Sequence, residues 1–245
     1  MPDLAAAFSE IRRSLAEQLA MLDEEDWRAP IPTRPEWTVK DTLAMLSGFA
    51  EALIHGRWTD DYSDAWSDGS LREKLHRNFD AMIAERRGQT GPEILAEWES
   101  NAPRLQRMMS GVEPFPSGTQ AFAPYGYLWA VVQNAHNIWS ALGALGQRRA
   151  GEATRMVLES AILWLDMRLQ ATGTPALRLR AEGHEWVVGD GIPAATVTAG
   201  TFDLFRALSG RRSLEQIRSF AWEGDPEPYL KVFSPFELPR EAVVE

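Results

Sequence analysis

The spacing of the apolar residues changes near residue 150, and this change restricts the chain to a helical part followed by a mixed part. From Leu4 to Leu22 the apolar side chains recur at helical intervals, so that they share one face. Residues 177–181 instead alternate apolar and polar side chains, as a half-buried strand does. The sequence therefore predicts a mainly α fold with an α+β tail.

The helical part is predicted to contain four or five helices. A capping box of Thr38 and Asp41 opens the second helix, which we expect to run to about Arg57. The acidic run 23–26 before it is predicted to be an exposed turn, followed by an extended proline-rich connector. The remaining bundle helices are expected to begin near Ser70, at Thr90–Glu93 and at Tyr127, and the last one is expected to end near Leu145.

A linker at 146–152 is predicted to separate two domains, which cover residues 1–146 and 153–245. In the second domain the pattern predicts a helix, three strands and two short helices. Their expected ranges are 153–171 for the first helix, 177–181, 185–188 and 195–199 for the strands, and 202–208 and 213–220 for the short helices.

The composition narrows the classes of function. The formal charge of −10 argues against a surface for nucleic acid or for anionic membranes, because both reward a basic patch. The chain has no cysteine, which excludes disulfides, thiolate nucleophiles and cysteine–metal sites. No apolar run approaches the length of a membrane span, and the N-terminus lacks the pattern of a signal peptide. We therefore expect a cytoplasmic protein whose partner is a small molecule; its oligomeric state is left open.

The segment Trp37-Thr38-Val39, followed by Ala44-Met45-Leu46, resembles the second-helix signature of the mycothiol-dependent maleylpyruvate isomerase family, within the DinB-like superfamily. The sequence segments 200–204 and 210–212 resemble motifs of the small C-terminal domain of the same family. The resemblance implies an actinobacterial protein with a DinB-like four- or five-helix bundle and a small sterol-carrier-like α+β domain. It also implies a divalent metal bound by a histidine at the position of Met45.

The resemblance places two further metal ligands, a glutamate and a histidine, on the last bundle helix. Aligning Ala141-Leu142-Gly143 with the family puts Ala130 and Asn134 at those positions, and Asn137 at a nearby aspartate. A thioether is a poor ligand for zinc-like ions, and alanine offers no ligand at all. We therefore expect no metal and no cofactor.

The polar groups of the last bundle helix are the candidates for catalysis. His136, Gln133 and Asn137 interrupt an otherwise apolar helix, and they would suit a neutral or carbonyl-bearing ligand, or a purely structural network. The candidate binding residues include the former ligand positions, aromatic neighbours and an arginine pair that resembles the family's basic motif. They are Met45, Ala130, Asn134, Tyr125, Tyr127, Trp129, Arg211 and Arg212.

Three functions remain open. The first is a metal-independent enzyme that transforms a small, largely apolar metabolite, for example by an isomerisation or cyclisation in natural-product biosynthesis. The second is a non-catalytic protein that binds a small ligand. The third is a metal- and mycothiol-dependent isomerase or thiol transferase, as the resemblance implies for the family.

Overall fold

The structure is a computed structural model that describes residues 3–58, 71–119, 122–144 and 151–244. Most of the predicted linker and the start of the third helix at Ser70 lie outside these ranges. The described residues form two compact units, and the first holds 3–58 and 73–144. The second holds 151–244 together with residues 71 and 72. The predicted fold class, mainly α with a small α+β tail, is confirmed.

The first unit is a helical bundle with one short hairpin. Its helices are α1 (Leu4–Leu19), α2 (Glu24–Arg28), α3 (Val39–Ile54), α4 (Leu71–Glu85), α5 (Gly91–Met109) and α6 (Ala123–Ala141), and the hairpin consists of β1 (Pro30–Ile31) and β2 (Arg34–Thr38). The central helix α3 packs against both α5 and α6, and α1 packs against the same two helices. The hairpin strand β1 lies against α6.

Local capping explains where several of these helices begin. The predicted capping box is confirmed, since Thr38 accepts from the amide of Asp41 and Asp41 accepts from the amide of Thr38. The prediction of an exposed turn at 23–26 is wrong, because Asp23 and Asp26 form the same reciprocal box and open α2. The last bundle helix begins before Tyr127, because Pro124 fits its first turn.

The second unit combines a four-stranded sheet with helices. Its elements are α7 (Glu152–Thr172), β3 (Leu177–Ala181), β4 (His184–Val188), β5 (Ala195–Thr198), α8 (Thr201–Leu208), α9 (Leu214–Arg218), β6 (Ala221–Glu223) and α10 (Glu227–Leu230), with strand order β4–β3–β5–β6. The pair β3–β5 is parallel and the other pairs are antiparallel. Helix α7 packs against α8 and β4. No described helix is long and apolar enough to cross a membrane.

Candidate functional site

Met45 lies in the interior of the bundle, on the helix that was predicted to carry it. Helix α3 is buried along most of its length, since nearly every residue from Thr42 to Ile54 is shielded from solvent. Met45 itself is 1% exposed. Its thioether is therefore part of the packed core.

Tyr127 ties α6 to α3 close to Met45. The indole Nε1 of Trp98 donates to the Tyr127 hydroxyl at 2.8 Å, and that hydroxyl donates to the carbonyl of Leu46 at 3.1 Å. The rings of Tyr127 and Phe49 meet edge to face with their centroids 5.1 Å apart. These contacts join α5, α6 and α3 next to the position of Met45.

The phenol of Tyr127 stays protonated near neutral pH. Complete burial raises its pKa far above the usual value of 10.0, although the hydrogen bond from Trp98 and the charge of Arg12 act in the opposite direction. A phenol in this state donates a hydrogen bond and does not act as a base. The hydroxyl of Tyr127 therefore stays a hydrogen-bond donor that links the helices of the bundle.

A chain of neutral amides follows on the next turns of α6. The Nδ2 atom of Asn137 donates to the Oδ1 atom of Asn134 at 2.9 Å, and the Nδ2 atom of Asn134 donates to the carbonyl of Ala130 at 2.8 Å. From the hairpin, the Thr33 hydroxyl approaches the Oδ1 atom of Asn137 at 3.4 Å. The sequence placed Ala130, Asn134 and Asn137 together, and the structure links them by hydrogen bonds.

The other candidate residues on α6 are Gln133, His136, Trp129 and Tyr125. The Nε1 atom of Trp129 donates to the Oε1 atom of Gln133 at 3.0 Å. His136 is buried, and its ring meets that of Trp139 edge to face at 5.0 Å. Tyr125 is 43% exposed, so it forms part of the surface rather than of the core. Gln133 and His136 thus each contact a tryptophan of α6.

The residues that the sequence resemblance aligns with the family's metal ligands do not fit a divalent metal. They offer a thioether at Met45, a methyl group at Ala130 and an amide at Asn134 whose nitrogen is engaged by a backbone carbonyl. Zinc-like ions prefer imidazole, carboxylate or thiolate ligands. Within the described ranges, no group of three or more His, Cys, Asp or Glu side chains is arranged to hold such an ion.

The predicted arginine pair belongs to the second unit and is engaged there. Arg212 is buried, and it donates to the Oδ1 atom of Asp203 from Nε at 3.2 Å and from Nη2 at 2.9 Å. Arg211 donates to the carbonyls of Ser209 and Gly210, each at 3.2 Å. Both guanidinium groups thus have contacts within their own unit.

A charged network that the sequence reading missed lies between α3, α5 and the end of α4. The guanidinium of Arg86, with a side chain only 5% exposed, donates to Glu51 at 2.6 Å and to Glu97 at 2.6 and 2.9 Å. Ser47 also donates to Glu97, at 2.8 Å. Partial burial alone would raise the pKa of Glu51, but the bonds and charges of Arg57 and Arg86 lower it below 4.5.

Comparisons with known proteins agree with the resemblance in the sequence. Residues 8–125 match the family model described as the mycothiol maleylpyruvate isomerase N-terminal domain. No curated protein sequence matches the chain significantly.

Two solved structures resemble the chain. A crystal structure of the mycothiol-dependent maleylpyruvate isomerase shares 13% identity and a TM-score of 0.49, over 85% of this chain and 88% of the other. A crystal structure of a histidine-to-alanine mutant of the mycothiol-dependent maleylpyruvate isomerase shares 12% identity and a TM-score of 0.49, over 90% of this chain and 91% of the other.

Proposed function

We propose that the chain, whose residues 8–125 match the model of the mycothiol maleylpyruvate isomerase N-terminal domain, acts on a small, largely apolar molecule in its helical bundle without a metal. The reaction class that fits is an isomerisation or a cyclisation, such as occurs in natural-product biosynthesis. The protein would accelerate it by positioning the molecule and by neutral hydrogen bonds.

The observation that carries this proposal is the amide chain on α6. The sequence resemblance aligns Asn134 and Asn137 with charged or metal-bound groups of the family, and the two asparagines bond to each other and to the backbone. An amide donates and accepts hydrogen bonds without carrying charge. Such groups suit a carbonyl or hydroxyl on an otherwise apolar molecule better than a dianionic substrate.

The same residues argue against a metal-activated thiol. A thiol cofactor becomes a nucleophile when a cation lowers its pKa. Met45, Ala130 and Asn134 offer no means of holding such a cation, so no step of the proposed function passes through a metal or through mycothiol.

A non-catalytic binding protein is the second candidate, and one observation favours it. Each amide nitrogen of Asn134 and Asn137 already donates to a group within the protein. A network that satisfies itself can stabilise a core without taking part in chemistry. Turnover of a bound compound, as opposed to binding alone, separates the two candidates.

Metal analysis of untagged protein tests the first half of the proposal. We expect no stoichiometric divalent metal and no effect of a chelator on the melting temperature, since a bound ion would stabilise the folded state. About one zinc-like ion per chain would contradict the proposal, and it would support a family-typical metal-dependent isomerase or thiol transferase.

Ligand screening with two variants tests the second half. Uncharged cyclic ketones should raise the melting temperature of the wild type, whereas maleylpyruvate should not. His136→Phe and Asn137→Leu should weaken this effect, and Asn101→Leu on α5 is the control. If both variants lose stability but bind the ketones as the wild type does, α6 is purely architectural and the proposal fails.

A further inference from the structure

The end of α3 fixes the direction of Arg57. Gly56 takes a positive φ of 66°, its amide donates to the carbonyl of Leu53, and the amide of Arg57 donates to the carbonyl of Ala52 at 2.8 Å. This pair of bonds is the Schellman motif, in which glycine tolerates the left-handed backbone. The guanidinium then pairs with Glu51 at 2.9 Å while its side chain remains 55% exposed.

A cavity of about 210 Å³ lies beside this helix end, between α3 and α4. Its floor includes the small residues Ala52 and Ala81, whereas the space beside Gly48 is filled by Met82. Arg57 and Glu85 also line it. The cavity therefore combines an apolar floor with one positive and one negative group.

An aromatic wall and a buried cation support the cavity. Trp58 lines it and is 5% exposed, and its ring stacks on Phe79 at 6.1 Å and lies 4.1 Å from that of Phe49. The Nη2 atom of Arg86 forms an ion pair with the Oε2 atom of Glu51 at 2.6 Å. A wall that is fixed before binding reduces the entropy lost when a ligand is ordered.

The two charged groups remain available to a ligand. Glu85 is 66% exposed, and its contact with Arg86 is long, at 3.5 Å. Arg57 contacts Glu51 through its Nη2 atom. A guanidinium carries five N–H donors in a planar fork that matches a carboxylate, so one contact leaves others to offer.

We propose that this cavity binds a small α-amino acid with an apolar side chain. The carboxylate of the ligand pairs with Arg57, its ammonium group pairs with Glu85, and its side chain lies on the floor of Ala52 and Ala81. Drug-sized ligands occupy roughly 300–1,000 Å³, so this smaller space suits a compact molecule. The lining residues differ from the amide chain on α6, and the inference stands independently of the function proposed above.

Calorimetric titration of the full chain with leucine, valine and phenylalanine tests the ligand class. We expect at least one of them to bind. The matched analogues of leucine are 4-methylpentanoate, which lacks the ammonium group, and 3-methylbutylamine, which lacks the carboxylate. Each should bind about tenfold more weakly than leucine or worse, since each loses one charged pair. If none of the three amino acids binds, or if an analogue binds as tightly as leucine, the inference is overturned.

Variants test the placement of the ligand. Arg57→Gln and Glu85→Gln change exposed side chains and should fold normally, yet each should weaken binding about tenfold. Ala52→Leu should abolish binding by filling the floor. Arg104→Gln is the control, since this partly exposed arginine on α5 pairs with Glu113. Wild-type affinity in both the Arg57 and the Glu85 variants would overturn the inference.

Discussion

Replacing Tyr127 by phenylalanine removes one oxygen atom from the centre of the bundle and tests how its helices are held together. Tyr127 is fully buried, and so is its partner Trp98, which is 1% exposed. Without the phenol, the Nε1–H of Trp98 loses its acceptor in a place that water does not reach. Leu46 lies inside α3, so its carbonyl keeps a helical hydrogen bond.

The expected loss of stability follows because Trp98 is left without an acceptor, whereas the carbonyl of Leu46 keeps a partner. A buried donor left without a partner costs about 1–3 kcal/mol, and the weakened contact to Leu46 adds little. We therefore expect Tyr127→Phe to lower the free energy of unfolding by about 2 kcal/mol. For a protein of this size that corresponds to a fall of about 4–8 °C in the melting temperature.

Urea unfolding followed by tryptophan fluorescence measures the change, with Tyr125→Phe as the control. Tyr125 is 43% exposed, so its variant should stay within about 0.5 kcal/mol of the wild type. In a double-mutant cycle with Trp98→Phe, the double variant should cost less than the sum of the single ones, because the orphaned donor is gone. A loss below about 0.5 kcal/mol in Tyr127→Phe, or strict additivity, would refute the reasoning.

Two further predictions concern α3. Gly48→Ala should lower the urea midpoint, because the added Cβ would lie 2.6 Å from the Cβ of Met82. Gly126→Ala on α6 is the control and should not lower the midpoint, because its added Cβ meets nothing within 4 Å. Equal midpoints for the two variants would argue against the close approach. The folded pKa of Glu51 lies below 4.5, so its stabilising contribution is present above that pH and is lost as the pH falls through the folded pKa. Glu51→Gln should therefore lose less stability than the wild type when the pH falls from about 7 to below the folded pKa of Glu51, and identical losses would count against the role of Arg86.

The features that sequence could predict are those set by near neighbours in the chain. The capping box at Thr38 and Asp41 needs residues three apart, and it is present as predicted. The alternating pattern at Leu177–Ala181 likewise identified a strand. The same logic, applied to Asp23 and Asp26, would have found α2, but a run of acidic residues was interpreted as a solvated turn.

The features that sequence could not predict depend on residues far apart in the chain. The bond between Trp98 and Tyr127 spans 29 positions, and the pair of Arg86 and Glu51 spans 35. No local pattern marks Arg86 as buried, because an arginine near a helix end usually faces solvent. For the same reason, the link from Thr33 in the hairpin to Asn137 on α6 could not be read from either segment alone.

The network around Arg86 also restricts which substitutions the relatives of this chain can carry. One guanidinium bridges two carboxylates on different helices, and Ser47 bonds to one of these carboxylates. Losing Arg86 alone would leave Glu51 and Glu97 crowded together, and losing one carboxylate alone would weaken the compensation of a buried cation. Substitution at one of these positions is therefore tolerated mainly when another changes with it, and among relatives the residues at 47, 51, 86 and 97 should vary as a set.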